Sequence, residues 1–290
     1  MLPAMKRPSL AIVGAGRLGT ALAMRLAEAG YSIPEVIARG NPQSLRTARK
    51  LARKVGARVV TMRTTQLTAD LIWFCVPDAE ISNAAAGLSR HDWRGKIAFH
   101  SSGMLTSEIF RVLYKRGAHA ASVHPLMTFV AGCLPELSHV PFALEGDAPA
   151  LAMAKTIIRK LGGNPFAIRK QDKPAYHAFA TMICPLLVSL LASSEAVAEL
   201  AGIPSRETRR RMMPIIRQTL ANYAQLGPAD AFSGPIVRGD AATIRLHLRS
   251  LAKAPAARDA YLALARAALE YLPSQKKREL RSYCKGPSSA

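Results

Sequence analysis

Short apolar runs alternate with helical periodicity over the first sixty residues. Residues 9 to 13 (Ser-Leu-Ala-Ile-Val) form an apolar run that ends at a glycine-rich turn, and Thr20 to Ala29 then spaces its apolar positions as a helix does before Gly30. Glu35 to Arg39 predicts a second strand, Leu45 to Val55 a basic helix and Arg58 to Thr61 a third strand, which together make a mononucleotide-binding half. Leu71 to Val76 is apolar on both faces, as expected of a central parallel strand covered by helices on each side, and Pro77-Asp78 ends it. Lys96 to His100 and His119 to His124 repeat that pattern around a helix predicted from about Ser107 to Arg116. Val140 to Leu144, a helix from about Ala148 to Leu161, and Pro165 to Ile168 extend or close the sheet.

Beyond Ile168 no strand pattern follows. Alanine-rich helical segments occupy about 173 to 201, 205 to 225, 241 to 252 and 256 to 272. The fold class predicted is therefore α/β, a Rossmann domain with a parallel doubly wound sheet over residues 1–168, followed by an all-α domain over 169–290. A chain of 290 residues is long enough for two such cores. Ala175 to Ser194 carries no charged residue and is about long enough to cross a bilayer. Pro185 interrupts it, and the basic regions on either side oppose a span, so a buried central helix of the α-domain is the expectation. The basic, polar tail after Pro273 is expected to be loosely held.

The formal net charge is +21, and charge of that size draws attention to polyanions. Three stretches are notably basic, Arg39 to Arg63, Arg206 to Arg217 and Lys276 to Lys285, without a helix-turn-helix, zinc-finger or aromatic-plus-basic strand signature. Solvated basic faces, rather than dedicated nucleic-acid recognition, are the reading. Cys75, Cys133, Cys184 and Cys284 lack the close pairing of a zinc site or redox dithiol, which fits a reducing cytoplasm and no metal. Lys6 and Arg7 precede an apolar run as in a signal peptide, but that run holds the glycine turn and continues into an amphipathic helix, so export is not expected.

The glycine turn carries the first chemistry. Gly14-Ala15-Gly16-Arg17-Leu18-Gly19 has the spacing that cradles a dinucleotide pyrophosphate at a helix N-terminus: Gly14 for the turn, Gly16 for close backbone approach, Gly19 for helix–strand packing. At the end of the second strand, where an NAD enzyme places a carboxylate for the ribose diol, the chain has Arg39, with Ser44 and Arg46 close behind. A guanidinium pairs with a 2′-phosphate, so NADP is favoured over NAD. Ser101 and Ser102 follow one later strand and His124 another; all three could line a nicotinamide pocket, and the serines could equally cap a helix. Asp172 reads as the N-cap of a helix on which Lys173 and His177 share a face, and either could donate a proton after hydride transfer. Arg238 is a candidate clamp for a substrate carboxylate, and Asp240 a helix cap that could join it.

As a set, Val13 to Gly19, Val76-Pro77-Asp78, His100 to Gly103, His124-Pro125, Lys173 with Tyr176-His177, and Gly234-Pro235 with Arg238-Gly239-Asp240 resemble the bacterial Rossmann-like proteins whose C-terminal half is the domain of unknown function 2520. The N-terminal half is also similar to deazaflavin-dependent NADP oxidoreductases and pyrroline-5-carboxylate reductases. That resemblance implies a helical C-terminal domain that often dimerises, and a cofactor contact at Val76 and Pro77. In the β-hydroxyacid dehydrogenases, also related, a lysine and an asparagine four residues later serve the active site; here His177 stands in the asparagine's place. The expectation is an NADP-dependent oxidoreductase reducing a small carbonyl or imine compound, with an anionic group, in the interdomain cleft. The alternative is a non-catalytic NADP-binding regulatory protein.

Overall fold

Each strand of the first half is buried on both sides, and two separate hydrophobic clusters show why. In the computed structural model, which describes residues 7–284, the first unit begins with β1 (Leu10–Val13), α1 (Arg17–Glu28), β2 (Glu35–Ala38), α2 (Pro42–Val55) and β3 (Arg58–Thr61). It continues through β4 (Leu71–Phe74), α3 (Asp78–Leu88), β5 (Ile97–His100), a 3-10 turn (Ser107–Phe110), α4 (Arg111–Tyr114) and β6 (His119–Pro125). β7 (Pro141–Gly146), α5 (Ala148–Lys160) and β8 (Asn164–Ala167) complete the sheet. Successive side chains of a strand point to opposite faces. Leu10, Ile12, Trp73 and Phe99 accordingly pack with α1, α2 and α5, while Ala11, Val13, Phe74 and Ala98 pack with α3 and α4 on the other face.

The eight strands are ordered β3-β2-β1-β4-β5-β6-β7-β8. All neighbours are parallel except β6 and β7, so the sheet is not wholly parallel as the sequence reading has it. The loop that leaves β6 contains no crossover helix, and without one the chain returns antiparallel. The predicted Ser107 to Arg116 helix is a 3-10 turn followed by one short α turn.

A 3-10 turn (Lys170–Asp172) leads into α6 (Lys173–Ile183), followed by α7 (Pro185–Leu200), α8 (Ser205–Ala231), α9 (Ala241–Ser250), a 3-10 turn (Leu251–Lys253), α10 (Pro255–Tyr271) and α11 (Lys277–Tyr283). The compact units are Met1–Thr181 and Met182–Ala290. The sequence pattern changes after Ile168, but the first unit continues along α6 because Lys173 is buried against Ser122 of β6 and Ser102 of the loop after β5. Asp172 does not cap α6; its carboxylate pairs with Arg169, at 2.5 and 3.1 Å.

Two further expectations are corrected. The apolar stretch is no buried central helix: Cys184 leaves helical geometry ahead of Pro185, α7 contains no buried residue, and Met182, Ile183, Leu186 and Val188 are exposed. Lys170–Leu200 is long and apolar enough to cross a membrane by length and composition, with a mean hydropathy of 1.7 in its best window and none of that window buried. The tail beyond Pro273, up to Cys284, is not loose. Leu280 and Cys284 are buried in a cluster with Ala241, Ile244, Leu262, Ala265 and Leu269. Lys285, the last basic residue of that stretch, lies outside the described residues, as does Lys6.

Leu280 closes the small core of the second unit. Leu280→Ala should therefore lower stability by about 2–5 kcal/mol, the usual cost of that cavity, read as an earlier midpoint in urea unfolding followed by circular dichroism.

Candidate functional site

The carboxyl ends of β1, β2, β4, β5 and β6 meet along one edge, where open parallel sheets bind ligands. Gly14, at the end of β1, has φ +95°, and a Cβ there would lie 2.8 Å from both the Cys75 carbonyl oxygen and a Val76 methyl. Gly19 is tighter still, since a Cβ would fall 2.0 Å from the Gly14 carbonyl oxygen. Gly16 differs from both: a Cβ would meet nothing within 4 Å. Protein atoms demand the first two glycines and leave the third facing open space. Asn41 and Asp147 cap α2 and α5 with their side chains, whereas α1 starts at Gly16 with no side-chain cap, leaving its first amides for an anion.

From Gly14 to Gly16 a groove of about 450 Å³ runs past Cys75, Val76 and Pro77 to Arg39, Asn41 and Ser44. Arg39 is half-exposed on its rim, 3.4 Å from the Glu80 carboxylate. A pair that long and that wet contributes little, so the guanidinium can exchange partners. The Ser44 amide donates to the Asn41 side chain and its hydroxyl to the Asn41 carbonyl, which fixes the turn beneath Arg39. The donor set fits a dinucleotide with a phosphorylated ribose: open amides at the helix start, and a cation where the ribose would lie.

The other end of the edge is built from a buried polar row. His100, Ser122 and Glu145 stand opposite one another in consecutive strands β5, β6 and β7, so their side chains share one face of the sheet. Glu145 accepts from the Ser107 amide and hydroxyl, both at 2.7 Å. His100 sits within bonding distance of the Thr106 carbonyl, 3.1 Å from Nε2, and the Ser102 amide donates to its Nδ1. A carbonyl can only accept, so Nε2 carries the proton and His100 is neutral. Burial, reinforced by the charge of Lys173, lowers its pKa to about 3.

Lys173, on the first turn of α6, reaches into this row and is fully buried. Its Nζ donates to Ser122 Oγ at 2.7 Å and to the Ser102 carbonyl at 3.2 Å. Burial lowers its pKa to about 8, against the opposing pull of Glu145 and Asp78. Ser102 is saturated: its hydroxyl donates to Asp78 at 2.5 Å and accepts from the amides of Met104 and Leu105. It therefore caps the following turn. Ser101 Oγ accepts from the buried Trp73 indole at 2.9 Å, which keeps its own proton available to a ligand.

Over buried Gly103 stand two imidazoles. A Cβ on Gly103 would lie 2.8 Å from His177 Cδ2 and 2.9 Å from His124 Nε2. The two rings are 6.4 Å apart and nearly perpendicular. His124 Nδ1 is 2.8 Å from the Tyr176 hydroxyl. Burial first, then the charges of Lys173 and His177, lower the His124 pKa to about 4, while burial raises Tyr176 to about 12.

The first unit thus brings together Ser101, Ser102, His124, Lys173 and His177. Arg238 and Asp240 belong to the second unit. Asp240 caps α9, accepting from the Thr243 amide at 3.0 Å and hydroxyl at 2.7 Å, and Arg238 is exposed beside it. Those Thr243 bonds, with help from the Arg238 charge, hold the Asp240 carboxyl below its ordinary range. Sequence reasoning assigned no role to Ser122, Glu145, Asp78 or Tyr176. For Tyr176 a signal existed, since it precedes His177 on the same helix start; Ser122 and Glu145 are single polar residues inside apolar strands.

Residues 4–125 match the model of a Rossmann-like domain, and residues 140–268 that of the domain of unknown function 2520. No curated protein matches the sequence. A candidate NADP oxidoreductase from Bacteroides fragilis is 25% identical, with 91% of this chain and 98% of that chain aligned at a TM-score of 0.77. An imine reductase from a Pseudomonas species shares the fold at 22% identity, 91% and 94% coverage and a TM-score of 0.63. A reductive aminase from Aspergillus terreus, in complex with NADPH and ethyl-5-oxohexanoate, does so at 16% identity, 97% and 100% coverage and a TM-score of 0.67. The chain is thus a Rossmann-like domain joined to a domain of unknown function 2520, the pairing that the motifs from Gly14 to Asp240 resemble.

Proposed function

We propose that this chain is an NADP-dependent oxidoreductase that reduces a small carbonyl or imine compound. The observation that carries the reading is the contrast among the three glycines: Gly14 and Gly19 are crowded by protein, while Gly16 faces open space at an uncapped helix start. Space kept at that position suits a pyrophosphate. Arg39 would leave its loose contact with Glu80 to pair with the 2′-phosphate, and the likeness to the candidate NADP oxidoreductase at 25% identity supports that choice. When bound, the nicotinamide would supply a hydride. Ser101, with a free proton, would orient the acceptor group, and the imidazoles of His124 and His177 would take part from beside Gly103. Lys173 would set the charge of the floor beneath them.

We further infer that a second copy of the chain covers the apolar surface of the second unit. Met182, Val188, Ile215, Leu220, Tyr223 and Leu226 are all exposed, and large apolar side chains gathered on exposed helices mark a surface that a partner covers. The bidentate ion pair from Arg209 to Glu195 across α7 and α8 places charge on that surface and favours a protein neighbour over lipid.

NADPH should bind, by fluorescence titration, at least about tenfold more tightly than NADH, and Arg39→Ala should remove that preference, as expected for a charge-assisted contact of about 1.5–3 kcal/mol. Consumption of NADPH with a panel of aldehydes, ketones and cyclic imines tests the activity; binding without consumption across the panel would leave a nucleotide-binding protein only. Gly16→Ala should fold with an unchanged melting temperature and lose NADPH binding, since its methyl displaces only the ligand. Light scattering in detergent-free buffer should give twice the chain mass of 31.2 kDa, and a monomer that needs detergent to stay in solution would refute the pairing.

A further inference from the structure

Among the described residues that line the groove beside Gly14 and Gly16, Arg39 is the one cation and Glu80 the one carboxylate. Arg39 follows β2, and Glu80 lies in the first turn of α3, which follows β4. In the sheet β1 separates β2 from β4, so the 3.4 Å contact between them joins two walls of the groove. Arg46, close to Arg39 in sequence, lines a separate hollow with Arg49, Lys50 and Arg53. A single guanidinium therefore serves whatever anion enters. The backbone beneath it is held, since the Gly40 amide donates to Ser44 Oγ at 3.2 Å and Asn41 caps α2, so Arg39 changes partner by its side chain alone. A groove fitted to a phosphorylated dinucleotide gains nothing from a carboxylate, which repels the ligand's charge. The start of α3 does not require one at Glu80 either, because Asp78 already places an acid in the same turn.

We propose that Glu80 is a specificity-determining residue: it occupies Arg39 while the groove is empty, yields it only to a 2′-phosphate, and so limits how strongly a phosphorylated ribose is preferred. This role rests on the reading that the groove takes NADP. The exchange replaces one ion pair by another. A phosphate monoester brings about 1.5 to 2 negative charges and three acceptor oxygens, and the guanidinium fork takes two of those oxygens at once. Glu80 offers one charge at a single longer contact, and its side chain already reaches water, so the phosphate displaces it. A ribose 2′-hydroxyl is neutral and leaves the pair closed. The displaced carboxylate stays close to the bound phosphate and opposes it. Glu80 thus withholds part of what Arg39 alone would contribute, and NADPH binds less tightly than the bare guanidinium would hold it.

The test is titration of the whole chain with four ligands: NADPH and NADH followed by fluorescence, adenosine 2′,5′-bisphosphate and 5′-AMP by calorimetry. Glu80→Gln should tighten NADPH and adenosine 2′,5′-bisphosphate by about three- to fivefold, the size of an exposed ion pair, and leave NADH and 5′-AMP within about twofold of the wild type. Glu80→Asp, which keeps the charge at the start of α3 but draws the carboxylate back, should fall between the two. In an Arg39→Ala background the gain from Glu80→Gln should shrink below about twofold, because the guanidinium is what the two anions contest. Equal shifts for all four ligands would make Glu80 a structural residue and overturn the exchange. So would an undiminished gain without Arg39, which is bare repulsion, or weaker NADH binding in Glu80→Gln, which would place the carboxylate on the ribose diol. If Arg39→Ala removes the NADPH preference while Glu80→Gln changes nothing, only the exchange fails. If Arg39→Ala keeps that preference, the placing of the 2′-phosphate fails and the exchange with it.

Discussion

A lysine ammonium sealed beneath the carboxyl edge of the sheet is the constraint around which the polar half of this site is arranged. Moving such an ion out of water costs several kcal/mol unless its donors are met and opposite charge stands near. Here Ser122 and the Ser102 carbonyl meet two donors, while Glu145 and Asp78 supply the opposing charge. Each of those groups is tied down in turn, Glu145 by Ser107, Asp78 by the Ser102 hydroxyl, and the Ser102 amide by His100. Lys173 therefore orders the loop after β5. Burial keeps both neighbouring histidines neutral, and the Lys173 charge reinforces it, since a second positive charge in the same small volume would be repelled.

That arrangement divides the edge into two kinds of surface. Around β1 and β2 the backbone does the binding: the amides of α1 start uncapped, Gly16 leaves room, and a single cation stands at the rim. Around β5 and β6 side chains do the work, with Gly103 bare because two rings crowd it. The two surfaces belong to one sheet, so the separation between them is set by strand spacing and register rather than by flexible loops. A dinucleotide spans such a distance along the edge, and this is the geometric reason that one ligand could use both.

The strands were legible in the sequence because burial on both faces leaves an unbroken apolar run, as in Leu71 to Phe74, and the glycine loop because its spacing follows such a run directly. Lys173 and His177 were legible as one helix face. What they touch was not. Ser122 and Glu145 are isolated polar residues in apolar strands, and only the pairing of β5, β6 and β7 reveals that they stand beside His100. The antiparallel turn of β7 was hidden for the same reason, since strand direction is set by the connection and not by composition. Periodicity misled at α7, where an apolar helix reads as buried although α8 and α10 cover it only in part, and at α11, where a basic surface conceals Leu280.

A polar row inside a doubly covered sheet is a local penalty, and natural folds keep such penalties where a site requires them. Leucine or valine at 100, 122 and 145 would satisfy the apolar core of that sheet face, which already holds Phe74, Ala98 and Ala120. The chain instead places imidazole, hydroxyl and carboxylate there in register, and then lowers an ammonium into them from the next helix. Packing alone gives no reason for that choice. The buried ammonium does, because Ser122 and the Ser102 carbonyl meet its donors, Glu145 answers its charge, and α6 carries it one turn ahead of Tyr176 and His177.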